Sequence, residues 1–144
     1  MLTLPAPAVN ALQLAGRIIF AYIFITSGFG KLMGHDAAVG YIASGHLPIP
    51  TEFAYWGSVI VELGGGLAIA LGLFTRIAAI AVAVFTVIAG YYFHLPYAHV
   101  EGLVGVLQGI HFVKNWTIAG GALFIAASGA GAWSLDRLIF GARA

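Results

Sequence analysis

Four long apolar stretches limit what this chain can fold into. A helix needs roughly 20 mostly apolar residues to cross a hydrocarbon core of about 30 Å, because its backbone polar groups must all be hydrogen-bonded within the segment. Four stretches of the 144-residue sequence reach that length, at residues 11–32, 53–74, 77–95 and 110–128. Only 8% of the residues are charged, against roughly 25% in soluble domains. We therefore predict an all-α membrane protein in which residues 1–144 form one four-helix transmembrane bundle.

The connections between these stretches predict the topology. Only residues 75–76 separate the second stretch from the third, so these two helices should form a tight antiparallel hairpin. The other two connections are longer and should share the opposite face of the membrane. Four of the six cations fall on the side of the termini and the hairpin, namely Arg17, Arg76, Arg137 and Arg143. The positive-inside rule places that side, with both the N- and C-termini, in the cytoplasm.

Ionisable residues interrupt the apolar stretches. Glu62 lies about halfway along the second stretch, where an ionisable side chain costs roughly 2.5 to 3.5 kcal/mol on insertion scales. We expect it to face the bundle and to find a charged partner there. On the first stretch, helical spacing places five residues on one stripe that includes both of its cations: Arg17, Ala21, Phe24, Gly28 and Lys31. We expect that stripe to face Glu62, with Arg17 as the ionic partner.

The charged cluster has more than one interpretation. His111, Lys114 and Asn115 share one turn near the outer end of the fourth stretch. Lys31 and Lys114 could extend their ammonium groups to the outer interface, and a buried pair of Arg17 with Glu62 could only fix helix register. Alternatively, the cluster binds a polar head, such as a quinone carbonyl or an anionic substrate, or it relays protons.

The cysteine, charged-residue and histidine content limits the kinds of functional site that the chain can form. The chain has no cysteine, which excludes disulfides, thiol redox relays and thiolate metal sites. A net charge of +1 without a basic cluster excludes a nucleic-acid-binding surface. Five histidines raise the question of haem or metal, but His94 and His99 lie on either side of Pro96 instead of on one helical face. We predict no metal site and rank haem below quinone as a cofactor.

Several short motifs, taken in order, resemble the DoxX family of small four-helix membrane proteins associated with redox enzymes. They comprise Arg17 with residues 28–32, residues 62–66, residues 72–76, residues 112–115 with Gly120 and Gly121, and residues 129–136. The resemblance implies a bacterial inner-membrane protein that works with other membrane or periplasmic subunits of a redox complex. It also implies quinone-linked chemistry. Relatives that use a cysteine pair cannot supply the mechanism, because this chain has no cysteine.

The residues and the resemblance together lead to one main hypothesis. The chain is expected to be a quinone-interacting subunit of a membrane oxidoreductase, with Glu62 as the proton-accepting carboxylate and Arg17 holding its ionisation. Binding of the ring carbonyl or another anionic group is assigned to Lys31, Lys114, Asn115, His111 and His94. The alternative is a non-catalytic membrane anchor or assembly factor for a respiratory or oxidative-stress complex, with a homo-oligomer as a further possibility. A small channel ranks last, because four short helices form a pore only as an oligomer.

Overall fold

The computed structural model describes residues 3–141, so Arg143 lies outside the described residues. Within that range the chain is helical and contains no strand. Its α-helices are α1 (Ala6–Met33), α2 (His35–Ser44), α3 (Thr51–Val59), α4 (Gly65–Leu71), α5 (Thr75–Ala89), α6 (Leu103–Ser128) and α7 (Leu135–Phe140). A π-helical turn, Ile60–Gly64, joins α3 to α4, and a second one, Gly90–His94, extends α5 into a 3-10 turn at Leu95–Tyr97.

Within the described residues, three helices are long and apolar enough to cross a membrane. They are Ala6–Met33, the joined α3 and α4 over Thr51–Leu71, and α5 with its extension over Thr75–Tyr97. The prediction of an all-α membrane protein is therefore confirmed. Helix α6 has 26 residues and packs along α5. That α6 is a fourth crossing, and that the termini are cytoplasmic, stay predictions.

The hairpin turn lies slightly earlier than the sequence suggested. Helix α4 ends at Leu71 and α5 begins at Thr75, so the turn consists of residues 72–74 and not 75–76. Gly72 caps α4 in the left-handed conformation with φ of 69°, which glycine adopts without a steric penalty. The backbone N–H of Leu73 then donates to the carbonyl of Ala68 at 2.8 Å. These contacts stop the helix before the apolar run of sequence ends.

The predicted stripe on α1 is the face that packs against α3 and α4. The buried residues of α1 are Arg17, Ala21, Phe24 and Gly28. A Cβ atom at Gly28 would lie 2.6 Å from the backbone nitrogen of Leu63, and one at Gly66 would lie 3.1 Å from the Cβ atom of Phe24. Small residues therefore let the two helices approach closely, as is common in membranes.

The fold has two distinct ends, which we call the hairpin end and the loop end. The hairpin end contains the start of α1, the α4–α5 turn and α7, since Arg17 contacts α4 near its last residues and the backbone of Trp133. The loop end contains α2, the start of α3 and the turns that precede α6. A core of small and branched residues, including Ala79, Val82 and Ala122, fills the space toward the hairpin end.

Candidate functional site

A buried ion pair joins α1 to the π turn of the second long helix. Glu62 is 6% exposed, and its Oε2 atom pairs with the ammonium group of Lys31. Its Oε1 atom accepts a hydrogen bond from the Ser27 hydroxyl at 3.0 Å. The Tyr55 hydroxyl donates to the backbone carbonyl of Lys31 at 3.1 Å, which ties the end of α1 to α3. Lys31 and Ser27 thus hold the two carboxylate oxygens of Glu62 in place.

The π turn explains how Glu62 is presented. Glu62 is the central residue of Ile60–Gly64, where one extra residue widens the helix and changes the direction of the side chains. Such turns are rare and often occur at functional sites. The second π turn, Gly90–His94, contains His94 and lies on the other side of the same cavity. Hydrophobic periodicity does not distinguish these turns from α-helix, so the sequence reasoning missed them.

A cavity of about 700 Å³ lies beside this ion pair. Its walls come from α1, α2, α3, α5 and α6, and most of them are apolar. The polar side chains that line it include Ser27, Lys31, Glu62, His94, Lys114 and Asn115. Asn115 is 8% exposed, and its amide can both donate and accept a hydrogen bond. The cavity is therefore an apolar chamber with several convergent polar groups.

The structure brings together most of the residues that the sequence predicted for ligand binding. Lys31, Lys114, Asn115 and His94 all line the cavity. His111 stands behind them, because its Nδ1 atom lies 3.0 Å from the Lys114 ammonium nitrogen and its ring centroid lies 5.3 Å from that of His94. The His94 Nδ1 atom is in turn 2.7 Å from the side-chain oxygen of Gln108.

The expected pairing of Arg17 with Glu62 is wrong. Arg17 Nη1 donates to the carbonyls of Ile69 and Ala70, both at 3.1 Å, and Nη2 donates to the carbonyl of Trp133 at 2.5 Å. Arg17 and Lys31 are fourteen residues apart on one helix, which is about 21 Å at 1.5 Å per residue. Arg17 therefore binds carbonyls at the end of α4, while Lys31 lies at the depth of Glu62.

Asp136 is a buried acid that the sequence reasoning did not select. It lies in α7, and its two carboxylate oxygens accept the backbone N–H groups of Phe74 at 2.7 Å and Thr75 at 3.0 Å. Desolvation alone would raise the pKa of Asp136, but these hydrogen bonds and the charge of Arg17 outweigh it, so the pKa is lowered. Asp136 thus caps the start of α5 and attaches α7 to the hairpin turn. Its partners lie more than sixty residues away in sequence, and no local pattern indicated them.

The loop end covers the cavity with aromatic side chains. The ring of Tyr41 on α2 stacks on that of Phe93 with centroids 5.0 Å apart and planes 22° apart. Gly45 touches the Phe93 ring so closely that a side chain there would collide with it.

An exposed histidine lies outside this cover. The Nδ1 atom of His35 is hydrogen-bonded to the carboxylate of Asp36 at 2.9 Å. That bond, together with the nearby Glu52, raises the pKa of His35.

Within residues 3–141, the structure places no three histidine and carboxylate side chains where they could share a metal ion. The site consists of a buried carboxylate and ammonium group beside an apolar cavity between membrane-length helices. The fold and the site define a class: small helical membrane proteins with an internal polar site.

The chain belongs to the DoxX family, whose sequence model matches residues 12–95. It is 38% identical over 126 residues to the inner membrane protein YqjF of Escherichia coli strain K12, covering 88% of this chain and 90% of that protein. It is 39% identical over 126 residues to the inner membrane protein YphA of the same organism, covering 88% and 89%. No solved structure matches the chain significantly. The protein is an integral protein of the bacterial inner membrane.

Proposed function

We propose that this protein is a subunit of a membrane oxidoreductase that holds a quinone headgroup in its cavity, beside the pair of Lys31 and Glu62. The observation that carries the proposal is this buried ion pair on the wall of an otherwise apolar cavity. Ionisable groups at membrane depth are costly and usually mark a functional path. Cofactor pockets typically combine apolar walls with a few convergent polar groups and occupy about 300–1,000 Å³.

The cavity residues suit the chemistry of a quinone. Oxidation of a quinol releases two electrons and two protons, and partner subunits would carry the electrons. Glu62 is the carboxylate that would accept the first of these protons, with Ser27 and Lys31 holding its two oxygens. His94, which also lines the cavity, would pass the second proton toward the loop end. Lys114 and Asn115 donate hydrogen bonds to the ring oxygens, where negative charge develops during the reaction. Arg17 has no part in this scheme, because its guanidinium group donates hydrogen bonds to backbone carbonyls at the hairpin end.

His94 and His111 complete the site on its loop side. The contact of His111 with Lys114 orients that ammonium group, and His94 lines the cavity itself. A neutral imidazole ring carries one hydrogen-bond donor and one acceptor, so the two rings suit a hydrogen-bonded path between the cavity and the loop end. Haem ligation by these histidines is the competing possibility, and an absorption spectrum of the purified protein tests it.

Anaerobic titration calorimetry with a short-tailed ubiquinol tests the proposal, because a quinol hydroxyl can donate a hydrogen bond to the Glu62 carboxylate and a quinone carbonyl cannot. Glu62→Gln keeps the shape of the side chain and removes its charge, and we expect it to weaken binding about tenfold or more, the usual effect of losing a charge-assisted contact. Glu52→Gln is the matched control, because the Glu52 side chain is 60% exposed and does not line the cavity. Equal affinity in the wild type and both variants would refute the assignment.

The proposal includes a topology with four crossings and both termini in the cytoplasm. Helix α6 would be the fourth crossing, with the polar turn around Lys114 facing the cavity, and Arg76 and Arg137 favour a cytoplasmic hairpin end. The chain has no cysteine, so in a single-cysteine variant any labelling by a thiol reagent comes from the introduced residue alone. A membrane-impermeant maleimide added to intact spheroplasts should label Glu101→Cys but not Thr3→Cys. Labelling of Thr3→Cys but not Glu101→Cys would show that the termini lie on the outer side of the membrane and would contradict this topology.

A second function, that of a membrane anchor or assembly factor, has one observation in its favour. Side chains added at Gly109 and Gly120 of α6 would meet no atom within 4 Å, and small residues on an open helix face allow a partner helix to approach closely. Under this function, Gly109→Leu would release a partner on mild detergent extraction, and Glu62→Gln would have no effect. The opposite pattern supports the oxidoreductase subunit.

A further inference from the structure

We infer that the ligand is a tailed amphiphile that enters sideways from the bilayer, with its tail leaving the cavity between α3 and α5. The inference rests on the proposed function, since it concerns the same cavity. It adds the class of ligand, an isoprenoid-tailed quinone instead of a water-soluble one, and it adds the route of entry. Three features of the structure support it.

The first feature is the divergence of the hairpin helices. Toward the hairpin end, α5 packs closely against α4 and the first π turn, whereas α3 packs against α1 and α2. The cavity occupies the space between the outer halves of these helices, and residues of both α3 and α5 line it. The chain therefore leaves a gap between α3 and α5 at membrane depth.

The second feature is the composition of this gap. Phe53 and Gly57 border it on α3, and Val84 and Ile88 border it on α5. The three larger side chains are all exposed as well as lining the cavity. At Gly57, an added Cβ atom would meet nothing within 4 Å. An opening with apolar edges suits a hydrocarbon tail and offers nothing to a hydrated solute.

The third feature is the cover at the loop end. Tyr41 stacks on Phe93 across the cavity, and Gly45 lies against the same ring. Leu47 and Ile49, from the connection that follows α2, add apolar lining on this side. Access from water would have to displace these contacts, whereas access from lipid would not. The polar groups at Lys31 and Glu62 would then receive the head while the tail stays in the bilayer.

Substitution of Gly57 by Phe tests the route, with the full-length protein in lipid nanodiscs. We expect Gly57→Phe to weaken equilibrium binding of a long-tailed ubiquinone at least about tenfold, the effect of losing roughly two CH₂ groups of tail contact. A tailless dimethoxy-methyl-benzoquinone should bind with unchanged affinity. Val84→Trp, on the opposite edge of the gap, should behave in the same way. Gly120→Phe is the control, since Gly120 is also surrounded by open space and lies outside the cavity.

The outcomes separate the two proposals. Loss of the long-tailed quinone alone in both gap variants supports lateral entry. Unchanged binding of both quinones in these variants, or equal loss of both, overturns the tail route but leaves the headgroup site in place. If neither quinone binds the wild type, the proposed function itself fails.

Discussion

Asp136 offers a quantitative test of how the hairpin end is held together. In Asp136→Asn, an amide nitrogen replaces one carboxylate oxygen, so one of the two bonds to the backbone of Phe74 and Thr75 is lost. The remaining bond is to a neutral acceptor. A hydrogen bond to a charged group contributes about 1.5–3 kcal/mol. Because Asp136 is buried, we expect the free energy of unfolding to fall by about 2–3 kcal/mol.

The assay is unfolding by SDS in mixed micelles, followed by circular dichroism. Asp36→Asn is the matched control, since the Asp36 side chain is fully exposed, and its effect should stay within about 0.5 kcal/mol. The pKa of Asp136 is lowered in the folded protein. Its contribution is therefore complete above the reference pKa of about 3.9 and is lost as the pH falls through the lower folded value. Equal stability of the two variants at pH 7, or an unchanged acid dependence in Asp136→Asn, would refute the capping role.

Other predictions concern α1 and its partners. Lys31→Met leaves the Glu62 carboxylate buried without its cation and should cost about 2–3 kcal/mol of unfolding free energy in the same assay; a double variant with Glu62→Leu should recover most of it. Gly28→Leu would drive a side chain into the backbone of Leu63 and should destabilise the protein by about 3 kcal/mol. Gly30→Leu, where an added Cβ atom meets nothing within 4 Å, should leave thermal stability in detergent unchanged.

The α1 face and the main elements of the cavity were predictable from sequence. Helical spacing identified the stripe from Arg17 to Gly28 that is buried in the structure. The cost of ionisable groups in lipid singled out Glu62, Lys31 and Lys114, which all line one cavity.

The partners of these groups were harder to predict. Spacing identifies the face of a helix, but the partner also depends on depth, and Arg17 lies about 21 Å along the axis from Lys31. The open carbonyls at the end of α4 compete for the guanidinium group. The π turn around Glu62 and the cap by Asp136 depend on tertiary contacts that local sequence patterns do not record.

Native mass spectrometry of the protein released from bilayer nanodiscs tests the central claim most directly, because it reads bound quinone and protein in one spectrum. After anaerobic incubation with a short-tailed ubiquinol, the wild type and Glu52→Gln should each retain one ligand molecule per chain, and the ligand-bound fraction of Glu62→Gln should be far smaller. A wild-type protein that carries no ubiquinol after this incubation, or a Glu62→Gln protein that retains it as fully as the wild type, would contradict the account.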